Sequence, residues 1–528
     1  MSRVRTAWSS LNRHLLFAVA LSLGVAARVI TMLGFPPAIW FGGDSASYTS
    51  TALRLAPATS RLSGYGVMLF ILRPLHSYVV VTALQHLMGL AIAVMIYALA
   101  RRYGLAGWLA TLAALPVLLD AYELQLEHEI LPSVPFGFLV MVAVTLILWW
   151  RGDRPLWATV TAGVVLAVSA SVWPVGLPLL LLYLGYLLLR RVGWRRFAVT
   201  VVASAVPLAA YGLWFDTVYH SPAFSYSDGI FLWSRTMSFA NCAVIRPPAG
   251  EAVLCPHQPV ASRPSASSFI WVNSPLDKLP KPKFSQHNNA LAQDFAIRAI
   301  KAQPGAYLRT VVHDVGLSFS WQRPNRPSAH LNQRYQFRYA TVHWVPAAEV
   351  VASGHTVGSD QLAYGGTGTT RAVAPFAGWL RAYQRYVYLR GTLLGVIMLI
   401  GLGGIVRFWL RGGIRRLAGW GGPGLYPWAA AAALLVVPVM TADFDLRYVL
   451  ISVPVAVLSA ALAFSRGEAA VGAGAQPATP APAPADSEPA PADEASAEPA
   501  SGAPPGPLAQ RRKDPAARGA GGEGQAGH

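Results

Sequence analysis

The chain has 528 residues, of which 54% are hydrophobic and only 12% charged, with a formal charge of +18. That balance excludes the soluble globular classes and leaves an integral membrane protein. Nucleic acid is not the expected partner, because the basic residues fall in short turns between apolar runs rather than in a continuous patch.

Apolar stretches of roughly 17 to 25 residues recur along the chain, each long enough for a helix to cross a core of about 30 Å. Helices are the expected elements, since each satisfies its own backbone in lipid. The predicted fold class is an all-α polytopic membrane protein of about ten transmembrane helices. Seven spans fall in an N-terminal module, 1–214: residues 15–34, 78–100, 105–121, 131–150, 156–172, 174–190 and 198–214. Three more, 391–410, 425–441 and 447–465, form a C-terminal module over 391–466. Arginines cluster at alternate ends of these runs: Arg3, Arg5 and Arg13, then Arg101 and Arg102, Arg190 and Arg191, Arg415 and Arg416, and Arg466. By the positive-inside rule both termini are cytoplasmic and the protein sits in the cell membrane. The first span follows a basic segment like that of a signal peptide, but no small-residue cleavage site follows it, so a retained helix is expected.

Residues 215–390 lie on the outer side by this topology and are too long for a connector, so a mixed extracytoplasmic cap is expected there. It holds both cysteines of the chain, Cys242 and Cys255, in NCAVIRPPAGEAVLCP. An even pair on an oxidising face reads as one disulfide, with two free thiols the alternative. Further on, Leu291 with Phe295 and Ala296 with Ile300 stand four apart, which predicts an amphipathic helix ended by Pro304. It lies either along the membrane surface or, as favoured here, against the bundle. The final segment, 467–528, is dominated by Ala, Pro, Gly and Glu and is expected to be a disordered cytoplasmic tail.

Ionisable groups at a membrane rim are costly and so are functional candidates. Asp44 follows the first span in WFGGDSASYTSTALRL. The hairpin LLDAYELQLEHEILPS offers Asp120, Glu123, Glu127, His128 and Glu129, and MTADFDLRYVL offers Asp443, Asp445, Arg447 and Tyr448. Three outer hairpins thus bring carboxylates, a histidine and an arginine to one membrane level, which suits acid–base and anion-binding chemistry. The plainer alternatives are that Asp44 caps a helix and that Arg447 pairs with Asp443 or Asp445 to fix its hairpin. Gln85 and His86, inside the second span, are expected to hydrogen-bond between helices.

The order GGDSASYTSTALRL, RLSGYGVMLFIL, VVTALQHLMGLAIAVMIYALARRYG, YELQLEHEIL and DFDLRYVLISVPV resembles the bacterial polyprenyl-phosphate-dependent glycosyltransferases of the C superfamily. These are relatives of protein O-mannosyltransferases and of the aminoarabinose transferase that modifies lipid A. The resemblance implies a catalytic pair, with Asp44 as the base that deprotonates the acceptor and Glu129 as a second acid that positions acceptor or metal. It implies that Arg447 and Tyr448 lie near the carrier phosphate. Arg61 stands in RLSGYG where the family has Arg-x-Pro-Gly-Tyr-Pro, and Trp173–Pro174 replaces an Arg-Pro step. Glu127, His128, Asp443 and Asp445 are further candidates.

Such donors keep an isoprenoid in the bilayer and a sugar phosphate at its outer surface, so the reacting carbon lies at the rim. The departing phosphate needs positive charge, from Arg447, Arg61 or a divalent metal ion to which the sequence assigns no ligands. The expected activity is hexosyl or pentosyl transfer, with inversion, from a polyprenyl-phosphate sugar to a glycan, lipid or protein acceptor, with membrane lipid as the other partner. A lipid or sugar transporter would show charge near the midplane, whereas here charges appear at the rims. A noncatalytic scaffold of envelope assembly is the remaining alternative, for which the lost arginine at Trp173 is the argument.

Overall fold

A computed structural model describes residues 2–150, 154–344, 355–412 and 422–465, all within one compact unit. The segment 467–528, read as a tail, lies outside the described residues, as does Arg466.

Helices occupy all ten of the apolar runs. The first half contains α1 (Ser2–Gly34), α2 (Gly42–Arg54), α3 (Gly64–Leu72), α4 (Tyr78–Arg102), α5 (Gly107–Leu119), α6 (Ala121–His128), α7 (Ser133–Leu148), α8 (Leu156–Val172), α9 (Gly176–Leu189) and α10 (Trp194–Tyr219). The second half contains α11 (Asp228–Thr236), α12 (Cys242–Ile245), α13 (Ser268–Trp271), α14 (Gln286–Ala302), α15 (Pro304–Leu317), α16 (Ala329–Arg334), α17 (Val357–Ala363), α18 (Phe376–Tyr386), α19 (Gly391–Gly412), α20 (Leu425–Thr441) and α21 (Leu446–Leu462). Among the described residues four helices, within α1, α4, α10 and α19, are long and apolar enough to cross a membrane, and α5 with α6 makes a fifth run bent by 51°. The protein is an all-α polytopic membrane protein. Its lipid-facing surface is visible on α10, where Val199, Val202, Val206 and Leu213 are exposed. Bilayer stands where water would otherwise meet these side chains. By contrast α21 is buried along nearly its whole length, from Leu446 to Leu462, which makes it the central post of the bundle.

Among the described residues the strand content is one two-residue antiparallel pair, β1 (Val342–His343) with β2 (Thr369–Thr370). A separate core forms around α11 and α14 from Ile230, Trp233, Phe295, Ala296 and Ala299. There the apolar stripe of α14 is used up: it packs inside the cap against α11, not along lipid and not against the bundle. Pro304 opens α15 rather than merely ending α14, since proline is well suited to a first helical turn. Cys242 and Cys255 are joined in a disulfide with a Cα–Cα distance of 6.1 Å. The cap is tied to the bundle by Tyr307, whose hydroxyl donates to the Met440 carbonyl at 3.0 Å, and by the Ser267 amide, which donates to Asp443 at 3.0 Å.

One end of the bundle is laced together by polar backbone contacts. The segment after α1 forms a parallel bridge between Ile39 and Glu129, with Ile39 N donating to the His128 carbonyl at 2.9 Å and Ile130 N to the Ile39 carbonyl at 3.0 Å. The Ser45 hydroxyl, in the first turn of α2, then donates to the Ile130 carbonyl at 2.9 Å. These bonds hold the loop bearing Asp44 against the loop bearing Glu129.

Candidate active site

Asp44 lies in the first turn of α2, but its side chain caps no helix; the N-cap residue is Phe41. Gly42 takes φ +56, a left-handed conformation that glycine adopts without steric cost, and a Cβ there would meet the Arg334 guanidinium at 2.8 Å. The carboxylate of Asp44 bridges two arginines. Oδ1 accepts from Arg61, which precedes α3, and Oδ2 accepts from Nη1 of Arg447 at 3.1 Å. Arg447 also meets Asp445 through Nε at 3.3 Å, and Asp445 accepts from the Tyr335 hydroxyl at 2.6 Å. Asp445 additionally caps α21 by accepting from the Arg447 amide at 3.3 Å.

The walls are aromatic. The Arg447 guanidinium lies 5.4 Å from the Trp173 ring centre, 5.5 Å from Tyr448 and 5.6 Å from Phe41. Arg61 lies 5.7 Å from Tyr48. Trp173, where the family resemblance led to an arginine, therefore supplies a π face for Arg447 instead of a second cation. The cluster remains open to the exterior, with the Asp44 side chain 25% exposed and those of Arg61 and Arg447 15% and 16%.

Glu129 is fully buried between α6 and α7. Its Oε1 accepts from Gln125 at 3.2 Å, and its Oε2 has no hydrogen-bond partner. Gln125 is in turn held by Gln384 of α18 at 2.9 Å, so a residue late in the chain orients this acid. Gln85 donates to the carbonyls of Glu127 and Glu129 at 2.9 and 2.7 Å, the interhelical role expected for it.

The two acids differ in protonation for physical reasons. Burial pushes the Asp44 carboxyl up, but the Arg61 and Arg447 guanidiniums outweigh it and hold it below the ordinary carboxylate range. Burial pushes Glu129 up to about 8, with Gln125, Arg447 and Arg338 only partly opposing it. At neutral pH one acid is ionised and paired while the other holds its proton. Such separated environments are the pattern of an acid–base site.

Other candidates lie elsewhere. Glu127 and His128 belong to a buried chain: Arg28 donates to Glu127 at 2.5 Å, His86 meets Glu127 at 2.7 Å and His128 at 3.1 Å, and His128 reaches the Phe35 carbonyl at 2.9 Å. All four residues are 3% exposed or less. Asp443 holds the Ser267 amide, and burial raises its pKa to about 6. Arg447 pairs with Asp44 and Asp445, not with Asp443. The sequence pattern did not single out Arg28, Tyr335, Arg334 or Gln384. Arg28 was findable as a lone arginine within an apolar span, and it shows that charge is not confined to the rims. Arg334 and Tyr335 stand at the end of the short helix α16, and Gln384 is a polar residue on the buried face of α18.

Among the described residues no three of His, Cys, Asp and Glu converge as a metal-ligand set. Asp44 and Asp445 already carry guanidinium partners, so this donor set does not suit a divalent cation.

The fold defines a polytopic all-α membrane protein with a polar, arginine-bridged site at one end. No protein-family model matches the chain, and no curated protein matches it. It is similar in structure to the S. cerevisiae protein O-mannosyltransferase Pmt1–Pmt2 complex bound to the sugar donor, at 16% identity and TM-score 0.32, over 44% of this chain and 36% of that one. It is also similar to the Archaeoglobus fulgidus oligosaccharyltransferase tethered with an acceptor peptide, at 13% identity and TM-score 0.38, over 84% of this chain and 49% of that one. A third likeness is to ArnT from Cupriavidus metallidurans bound to undecaprenyl phosphate, at 14% identity and TM-score 0.32, over 87% and 78%. The chain thus spans less than half the length of the first two. At these scores no residue role is transferred, and the functional reading rests on the side chains themselves.

Proposed function

We propose that this protein is a membrane glycosyltransferase that takes a sugar from a polyprenyl-phosphate donor at the extracytoplasmic face of the cell membrane. The observation that carries the reading is Asp44 bridged by Arg61 and Arg447, with the buried, half-satisfied Glu129 held in the adjoining loop. Two guanidiniums from separate elements form an anion site at the rim, where a lipid phosphate would sit.

The acceptor hydroxyl gives its proton to Asp44 as its oxygen bonds to the anomeric carbon. The carbon–oxygen bond to phosphate breaks, and its electron pair leaves on the phosphate held by Arg61 and Arg447. Attack opposite the phosphate inverts the anomeric centre. Glu129, neutral and with Oε2 free of protein partners, positions the acceptor by hydrogen bonding. Tyr335 and Asp445 fix Arg447, and Tyr448 and Trp173 wall it. The acceptor is a glycan, a lipid or a protein, and the sugar a hexose or pentose. No step needs a metal ion.

The test is transfer from a defined polyprenyl-phosphate sugar by purified protein in lipid. Asp44→Asn should lower transfer at least about a hundredfold, the usual cost of losing a general base. Wild-type rates in that variant would refute the base. The buried Arg28–Glu127–His86–His128 chain is the observation that favours a transporter instead, and sugar-lipid movement across vesicles without transfer would support it.

A further inference from the structure

We propose that Asp44 is also a latch: in the donor-free protein its carboxylate fills the anion site made by Arg61 and Arg447, and the donor phosphate must displace it before the acceptor can react. The inference rests on the proposed function in taking these arginines as the phosphate site and Asp44 as the base. It goes further in fixing an order, with donor before acceptor, and in giving that order a physical cause.

Each oxygen of Asp44 takes a different guanidinium, Oδ1 that of Arg61 and Oδ2 that of Arg447. The two nonbridging oxygens of a phosphodiester present the same pattern, one anion shared between two forks. Among the described residues Arg61 has no other carboxylate partner: its remaining contacts are Ser60 Oγ at 3.4 Å and the Tyr48 ring. Arg447 has a second carboxylate partner, Asp445, at 3.3 Å. Asp44 is thus the exchangeable member of the cluster, and Arg61 needs an anion when Asp44 leaves.

The carboxylate is also free to leave. It caps no helix, it is the most exposed of the three side chains at 25%, and a Cβ at the preceding Gly43 would meet nothing within 4 Å. The neighbouring Ser45, by contrast, is buried and bonded to the Ile130 carbonyl, so the backbone stays fixed while the Asp44 side chain swings.

The exchange has a chemical consequence. While two guanidiniums neutralise it, Asp44 is a weak base and does not activate a stray water molecule. Once phosphate takes the guanidiniums, Asp44 loses its cationic partners and gains an anionic neighbour, and both changes raise its affinity for a proton. The donor therefore switches on the base that will consume it.

The experiment measures binding of farnesyl phosphate, with farnesol as control, to the full-length protein in lipid nanodiscs by calorimetry. Asp44→Asn should bind farnesyl phosphate about tenfold more tightly than wild type, and Asp44→Ala should do the same if the asparagine variant fails to fold. Asp443→Asn removes the same charge from a carboxylate that holds a backbone amide, and should change affinity less than about twofold. Arg447→Gln should weaken binding. Unchanged or weaker binding by both Asp44 variants, with Arg447→Gln still weakening it, overturns the latch and leaves the proposed function standing. Equal tightening by Asp443→Asn also overturns it, because the effect is then one of general charge. If farnesyl phosphate binds no better than farnesol to wild type and to both Asp44 variants, the phosphate site itself is refuted, and the latch falls with it.

Discussion

Replacing Glu129 by glutamine should remove a pH dependence of stability that the wild type carries. The side chain is fully buried, and burial lifts its pKa from 4.5 to about 8. Between those values the folded protein holds a proton that the unfolded chain has released, so raising the pH favours unfolding. The slope is about 1.4 kcal/mol per pH unit, and from pH 6 to pH 8 the loss is roughly 2–3 kcal/mol, with most of the remainder of the window falling between 4.5 and 6. Glutamine copies the shape of the neutral acid and can still accept from Gln125, so at pH 6 the variant should lie within about 1 kcal/mol of wild type. At pH 8 it should be the more stable protein. Thermal unfolding of both proteins in the same lipid at the two pH values measures the difference, and taking wild type minus variant cancels every other titrating group. Parallel curves would refute the burial argument and return Glu129 to the ordinary carboxylate range.

Asp44→Asn should cost roughly 1–3 kcal/mol in stability, because it leaves the largely buried Arg61 without its carboxylate partner, so transfer is compared at equal folded protein; an unchanged melting temperature would contradict this. The Cys242–Cys255 link closes a sequence separation of 13 residues, and its removal should cost about 2–4 kcal/mol by the loop-entropy account. Mass measurement with and without reductant detects the bond, and complete thiol labelling of untreated protein would deny it. A reporter fused after residue 466 should be cytoplasmic and one inserted near residue 265 extracytoplasmic. Finding both on one side would overturn the orientation.

The sequence by itself determined the membrane class and the placing of the apolar helices. Hydrophobic length is a local property that needs no partner to be expressed, and each of the ten apolar runs is occupied by a helix. It also brought Asp44, Glu129 and Arg447 forward, because a charge in or near an apolar run is conspicuous, while Arg61 and the role of Tyr448 came from the family resemblance. Only the tertiary structure decided how these groups are used. That Arg447 turns to Asp44, 403 residues away, and not to Asp443, four residues away, depends on Asp443 being spent on the Ser267 amide of the cap. That α14 packs on α11 and not on lipid or the bundle follows from a second apolar face that the spacing of Leu291 and Phe295 could not reveal. Tyr335 and Gln384 stand in irregular or short segments, yet one fixes Asp445 and the other, through Gln125, fixes Glu129. Local periodicity records which face of an element is apolar. It holds no record of which distant polar group will satisfy a buried hydrogen bond, since that choice is made by packing across the whole chain.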